Sequence, residues 1–259
     1  MKVTFVGAGP GAADLITLRG ARALAEASIV LYAGSLVSRD MLTHCRPDAE
    51  IHDTAAMNLE EQVAQYRRAQ LNGWDVARLH SGDPAIYGAI SEQMSALDEL
   101  NIPYEVVPGV SSFTASAAVL KTSLTRPEVS QTIIITRSEG RASAVPEGES
   151  LAALATHGAS MAIFLSGAGL TKALEELRTQ LPDETPAALV CKASWPQEKH
   201  HVATLGTLLD DISPEDWRLS TMLLVGRALE NTPGTPSRLY SPEYSHRFRK
   251  ASKEPLTNA

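Results

Sequence analysis

Cysteine is scarce: Cys45 and Cys191 are the only two among 259 residues. They are too few and too far apart for a disulfide framework or a zinc site, and a reducing cytoplasm is the expected setting. Basic charge is not in excess either. The formal net charge is −7, which argues against a nucleic-acid partner, because such a partner needs a basic face. An anionic small molecule would have to be met by locally placed Arg or Lys. No apolar run approaches the roughly 18 residues of a membrane helix, and no basic-plus-apolar leader precedes the first strand. A soluble protein with no membrane partner is therefore expected. Hydrophobic residues make up 44% of the chain, enough to bury a core in one large α/β domain or two of ordinary size.

The first loop, Gly7-Ala8-Gly9-Pro10-Gly11, follows the apolar run Val3 to Val6 and precedes a helical stretch beginning at Asp14. That stretch carries Leu15, Leu18, Ala21 and Ala25, mostly three or four apart, and Ser28 to Tyr32 reads as a second strand. Strand, helix and strand thus form a βαβ unit. Alternation continues with a helix over 58–71, a strand at 75–79, a helix at 88–99, a strand at 104–107 and a helix at 110–120. Such alternation predicts a mostly parallel sheet covered by helices in an N-terminal domain over 1–120.

Residues 121–129 have no periodicity and read as a linker. A second α/β domain is expected over 130–240. Gln131 to Thr136 is rich in β-branched residues, and further strands are expected at 160–165, 187–191, 199–204 and 221–226, with helices at 170–180 and 206–212. The last two strands flank a short helix and are open to an antiparallel arrangement, so a mixed sheet is expected there. Ser138 to Glu149 reads as a mobile loop, and 241–259 as a tail containing the basic run His246 to Lys250.

Two features of a dinucleotide site are missing. The first loop lacks the last glycine of G-x-G-x-x-G, and Tyr32-Ala33-Gly34-Ser35 stands where an acidic residue would bind the ribose. Pro10 also removes one backbone donor. Two more turns leave strands for helices: His80-Ser81-Gly82-Asp83-Pro84-Ala85-Ile86-Tyr87 and Val107-Pro108-Gly109-Val110-Ser111-Ser112. Asp83 or a serine at these positions can simply cap a helix. Three such turns at the carboxyl edge of one parallel sheet, however, coincide with the place where open α/β sheets bind ligands.

Taken in order, VGAGPGAADLITLRGARAL, YAGSLVS, SGDPAIYG, VVPGVSSF, QTIIITRSEGR, MAIFLS and KASWPQEK resemble the tetrapyrrole methylase family over nearly the whole chain. YAGSLVS, TRSEGR and KASWP resemble, more narrowly, its members that methylate carbon 11 of precorrin-4 or cobalt-precorrin-4 in cobalamin biosynthesis. The resemblance implies a two-domain α/β enzyme, usually a homodimer, that holds S-adenosylmethionine in a cleft between its domains. It implies cofactor contacts at Gly82, Asp83, Ile86, Ser111 and Ser112, with Leu165, Ala193 and Met222 contributed by the second domain and Pro10 peripheral. The chain departs from the commonest pattern at Leu165, often Met, and Ser111, often Thr, and both changes keep the approximate size.

The cofactor carries a sulfonium and an amino group but no phosphate, so a turn with few free amides and an Asp suits it. The macrocycle carries acetates and propionates. Arg137, Arg141 and Lys192 are the candidate cations for them, with Tyr32 and Ser35 lining the floor. The first loop, through Gly9 and its neighbours, is expected to wall the trough, its glycines giving a flat substrate close approach. His80 reads more simply as a core histidine, and the pair His200 and His201 as surface residues with no third metal ligand. No catalytic base stands out. The competing functions are a methylase acting at another ring carbon, a nucleotide-linked oxidoreductase and a non-catalytic tetrapyrrole-binding module.

Overall fold

The structure, a computed structural model, describes residues 1–139, 144–146, 148–164, 169–230, 239 and 241–252. Its first half runs β1 (Val3–Gly7), α1 (Leu18–Glu26), β2 (Ile29–Tyr32), β3 (Glu50–Asp53), α2 (Leu59–Asn72), β4 (Val76–His80), α3 (Ser91–Glu99), β5 (Tyr104–Val107) and α4 (Ser112–Val119). The five strands form one sheet of order β3-β2-β4-β1-β5, and every neighbouring pair is parallel. Successive strand residues point to opposite faces. Val6, Val30, Ala77 and Leu79 accordingly join Leu24 of α1 in one buried cluster. Val3, Phe5, Ile29, Leu31 and Val76 join Tyr66 of α2 and Leu97 of α3 in the other. Both faces are covered, as a parallel sheet requires.

Local chemistry sets the helix ends. Residues 13–15 make only a 3₁₀ turn, and α1 starts three residues later, where the Thr17 hydroxyl accepts from Gly20 N at 3.1 Å. Asn58 and Glu61 cap α2 reciprocally, at 2.9 and 2.8 Å, and Gly73 closes it at φ 67°. The helix expected over 88–99 begins only at Ser91, because Tyr87 and Ala89 have φ of 55° and 47°, outside the helical region.

The second half runs β6 (Ile133–Arg137), α5 (Leu151–Ala155), β7 (Ser160–Phe164), α6 (Leu170–Arg178), β8 (Pro186–Cys191), β9 (Lys199–Thr204) and β10 (Thr221–Val225). These strands form a sheet of order β6-β7-β10-β8-β9. β6 and β7 are parallel. The bonds Gly226 N to Pro186 O, at 2.9 Å, and Lys192 N to Ser220 O, at 2.8 Å, run β10 antiparallel to β8, so the sheet is mixed. β9 and β10 do not pair with each other, since β8 lies between them. The helix expected over 206–212 is absent. Leu205 N donates to Thr185 O at 2.9 Å and Gly206 N to Asp183 O at 2.9 Å, leaving only a run of turns.

By its contacts the chain divides into two compact units. One comprises Met1–Lys121, Leu189–His201 and Leu219–Met222, and the other Thr122–Ala188, Val202–Arg218 and Leu223–Ala259. Among the described residues no helix is long and apolar enough to cross a membrane.

Candidate functional site

Three parallel strands of the first unit end side by side. Gly7 at the end of β1 is in register with His80 at the end of β4, and Val6 with Val107 at the end of β5. The turns that follow leave one edge of the sheet and interlock through their backbones. Gly82 N donates to Gly9 O at 2.8 Å, Gly9 N to Gly82 O at 3.2 Å, and Ala8 N to His80 O at 2.8 Å. A Cβ on Gly7 would stand 2.5 Å from Gly109 Cα and 2.8 Å from the Gly82 carbonyl oxygen, closer than side chains approach. One on Gly109 would collide with that same oxygen.

The carboxylate of Asp83 joins the second turn to the third. Its Oδ2 accepts from Gly109 N at 3.0 Å and its Oδ1 from Ala85 N at 2.8 Å. It caps no helix: α3 starts eight residues later, from Ile90, without a side-chain cap. Ser111 stands at the N-cap of α4, yet its hydroxyl makes no capping bond, and the residue is buried. Ser111 and Ser112 lie against Gly82, whose would-be Cβ comes 3.7 Å from Ser111 Cα and from Ser112 N. Ile86 closes the turn after Asp83, its N donating to Asp83 O at 3.1 Å.

The same unit brings the KASWP segment onto the first loop. Trp195 Nε1 donates to Pro10 O at 2.8 Å, and Ala12 N donates to Ser194 Oγ at 3.0 Å. A Cβ on Gly11 would run into the Trp195 indole. This corrects one expectation: the bare faces of Gly7 and Gly11 meet Gly109 and Trp195, not a flat ligand. Gly9, at φ 76°, is needed for its backbone conformation. Sequence reading assigned no role to Ser194 or Trp195, although the KASWP motif pointed at them. Ala193 is buried against Ala115 and Val190, Met222 is buried, and Lys192 is half-buried at φ 51°.

A polar layer lies beneath the second turn, on the face of β4 that carries Arg78 and His80. Arg78, 6% exposed, donates from Nε to Gln93 Oε1 at 3.2 Å and from Nη1 to Leu79 O at 3.2 Å. Tyr66 Oη donates to the same Gln93 oxygen at 2.8 Å. Burial pulls the Arg78 pKa down and pushes that of Tyr66 up to about 12. Burial, with the Arg78 charge second, pushes His80 down to about 3, against a hydrogen bond with the Gly88 backbone that raises it. His80 is therefore a neutral core residue, and among the described residues its buried Nε2 has no hydrogen-bond partner.

The remaining candidates are more scattered. Tyr32, 5% exposed, packs in the core cluster with Val6, Ala8 and Val37, so little of its ring is available as a floor. Ser35 is exposed in the following turn. The acid missing after β2 stands at the end of β3 as Asp53, whose Oδ1 accepts from Gly34 N and Ala55 N, each at 2.9 Å. Those backbone bonds hold its carboxyl below the usual range. In the second unit, Arg137 at the end of β6 donates from Nη2 to Ala144 O at 3.0 Å. Arg141 and Leu165 lie outside the described residues. Among the described residues no group of three or more His, Cys, Asp or Glu is arranged to hold a metal ion.

The model of the tetrapyrrole (corrin/porphyrin) methylases matches residues 2–209. A precorrin-4 C(11)-methyltransferase of Sinorhizobium sp. is 44% identical over 249 residues, covering 96% of this chain and 98% of the relative. The X-ray structure of a cobalamin biosynthetic enzyme, cobalt precorrin-4 methyltransferase, is similar with a TM-score of 0.84 at 44% identity, over 88% of this chain and 96% of that one. A uroporphyrin-III C-methyltransferase from Thermus thermophilus, solved with S-adenosyl homocysteine, is similar with a TM-score of 0.69 at 25% identity, over 88% of this chain and 99% of that one.

Proposed function

This chain belongs to the tetrapyrrole (corrin/porphyrin) methylases, and we propose that it transfers the methyl group of S-adenosylmethionine to C(11) of precorrin-4 or cobalt-precorrin-4 in cobalamin biosynthesis. The observation that carries the substrate is the 44% identity, over nearly the full length of both chains, to a protein named for that reaction.

The chemistry of the turns supports the cofactor. The amides of Ala8, Gly9, Gly82 and Gly109 are all donated to neighbouring turns. None is left to form the nest of N–H groups that a pyrophosphate needs. A cation without phosphate asks instead for carbonyl and hydroxyl oxygens, and this edge offers the uncapped Ser111 hydroxyl and turn carbonyls. Gly82, Asp83, Ile86, Ser111 and Ser112 would hold the cofactor, with Ala193, Met222, Leu165 and, peripherally, Pro10. Adenosylmethionine supplies an activated methyl group for in-line displacement by a ring carbon. The protein then has mainly to align the partners and exclude water. Interlocked turns with no room for a Cβ suit that task, because a rigid edge keeps the reacting geometry.

Arg137, Arg141 and Lys192 would meet the substrate carboxylates, with Gly9, Tyr32 and Ser35 beside the ring. No general base is assigned. The reading carries with it a cytoplasmic setting and a homodimer, the latter taken from the family. It is tested by calorimetry of the purified protein with S-adenosylhomocysteine and with NAD. Binding of the former and not the latter is expected, and the reverse would contradict the methylase reading.

A further inference from the structure

The turn from Pro84 to Ile90 is wound more tightly than its residues prefer. Tyr87 and Ala89 both sit at positive φ, 55° and 47°, and neither is glycine. Each such residue costs on the order of 1 kcal/mol. Gly88 between them has no room for a Cβ, which would strike the Pro84 carbonyl. Helix α3, which follows, has no side-chain cap to draw the chain into this shape.

One buried side chain takes up the carbonyl end of the turn from below: Gln93 Nε2 donates to Ala89 O at 3.2 Å. Gln93 is itself 5% exposed and held from its other end, where its Oε1 accepts from both Arg78 and Tyr66. Among the described residues no carboxylate forms an ion pair with Arg78. A buried guanidinium without an acid is an expensive way to orient one amide. The amide it orients spans from β4 to the strained turn.

We propose that Gln93, fixed by Arg78 and Tyr66, is a positioning residue that holds the 84–90 turn in its cofactor-binding shape. The proposal rests on the methylase reading for the identity of the ligand. It goes beyond that reading by assigning cofactor affinity to a buried layer that does not touch the cofactor. Gln93 spends its oxygen on the layer below and its amide hydrogen on the turn above. The two roles can therefore be separated.

Gln93→Leu removes both and is expected to melt at a lower temperature than wild type. Gln93→Glu is the informative variant: it keeps an acceptor for Tyr66 and gives Arg78 a charged partner, but sets a carboxylate oxygen against Ala89 O where an N–H had been. We expect Gln93→Glu to melt at or above the wild-type temperature. It should nevertheless bind S-adenosylhomocysteine about tenfold more weakly in calorimetry. The KM for adenosylmethionine should rise with that for the corrin substrate unchanged, and amide exchange over 85–90 should quicken. Wild-type affinity and wild-type exchange in a stable Gln93→Glu protein would overturn the proposal. A melting temperature as low as that of Gln93→Leu would overturn it too, since Gln93 would then serve folding alone. If wild type bound no S-adenosylhomocysteine, the functional reading would fail, and exchange in the ligand-free proteins would still decide whether Gln93 holds the turn.

Discussion

His80 has a folded pKa of about 3 against an ordinary value of 6.5, mainly from burial. Its folded form refuses a proton that the unfolded chain accepts. The stability this represents is complete above pH 6.5 and is lost as pH falls from there towards 3. The slope rises to about 1.4 kcal/mol per pH unit. Chemical unfolding at pH 7.5, 6.5, 5.5 and 5 should show wild type losing stability with acid more steeply than His80→Gln. Parallel curves would mean that His80 does not titrate differently in the two states. Asp83 reads from sequence as a cofactor acceptor, and in the structure both its oxygens accept backbone bonds from the turns. Asp83→Ala should therefore cost on the order of 2 kcal/mol of stability and weaken S-adenosylhomocysteine binding together. Unchanged cofactor affinity in calorimetry would show that the cofactor lies elsewhere.

Among elements, the three turns stand or fall by their glycines. Gly109→Ala puts a methyl group against the backbone of two other turns, with no flexible side chain to move aside. It should destabilise by several kcal/mol. Gly73→Ala, at φ 67° but facing open space, should cost only about 1 kcal/mol in thermal or urea melts. Equal losses would mean that the turns can part. The turns were visible in the sequence because Gly, Pro and Asp mark them, and strands such as Tyr104–Val107 and Lys199–Thr204 because β-branched or apolar residues cluster there. The strand Glu50–Asp53 was not visible: its side chains are only half-buried or exposed at the sheet edge, and half of it is charged. The helix expected over 206–212 failed because the tie from Gly206 N to Asp183 O is made to a residue 23 positions earlier. No local pattern records such a tie. For the same reason Trp195 was legible only as part of a motif, while its bond to Pro10 O spans 185 positions.

At the scale of the whole molecule, the α/β class and the two sheets follow from alternation of strand and helix, and the carboxyl edge of the first sheet follows from its parallel order. The buried layer of Tyr66, Arg78 and Gln93 does not, because nothing in an isolated Gln or Arg says that it will be buried. The substrate rests on family membership and on the cations proposed for its carboxylates. Arg137→Ala should raise the KM for the corrin precursor about tenfold and leave S-adenosylhomocysteine affinity unchanged; the opposite pattern would move Arg137 to the cofactor. The central claim is tested most directly by incubating the protein with isotopically labelled S-adenosylmethionine and precorrin-4 or its cobalt form, then assigning the methylated carbon by mass spectrometry and NMR. The account predicts one labelled methyl group at C(11), whereas label at another ring carbon, or none with either substrate, would contradict it.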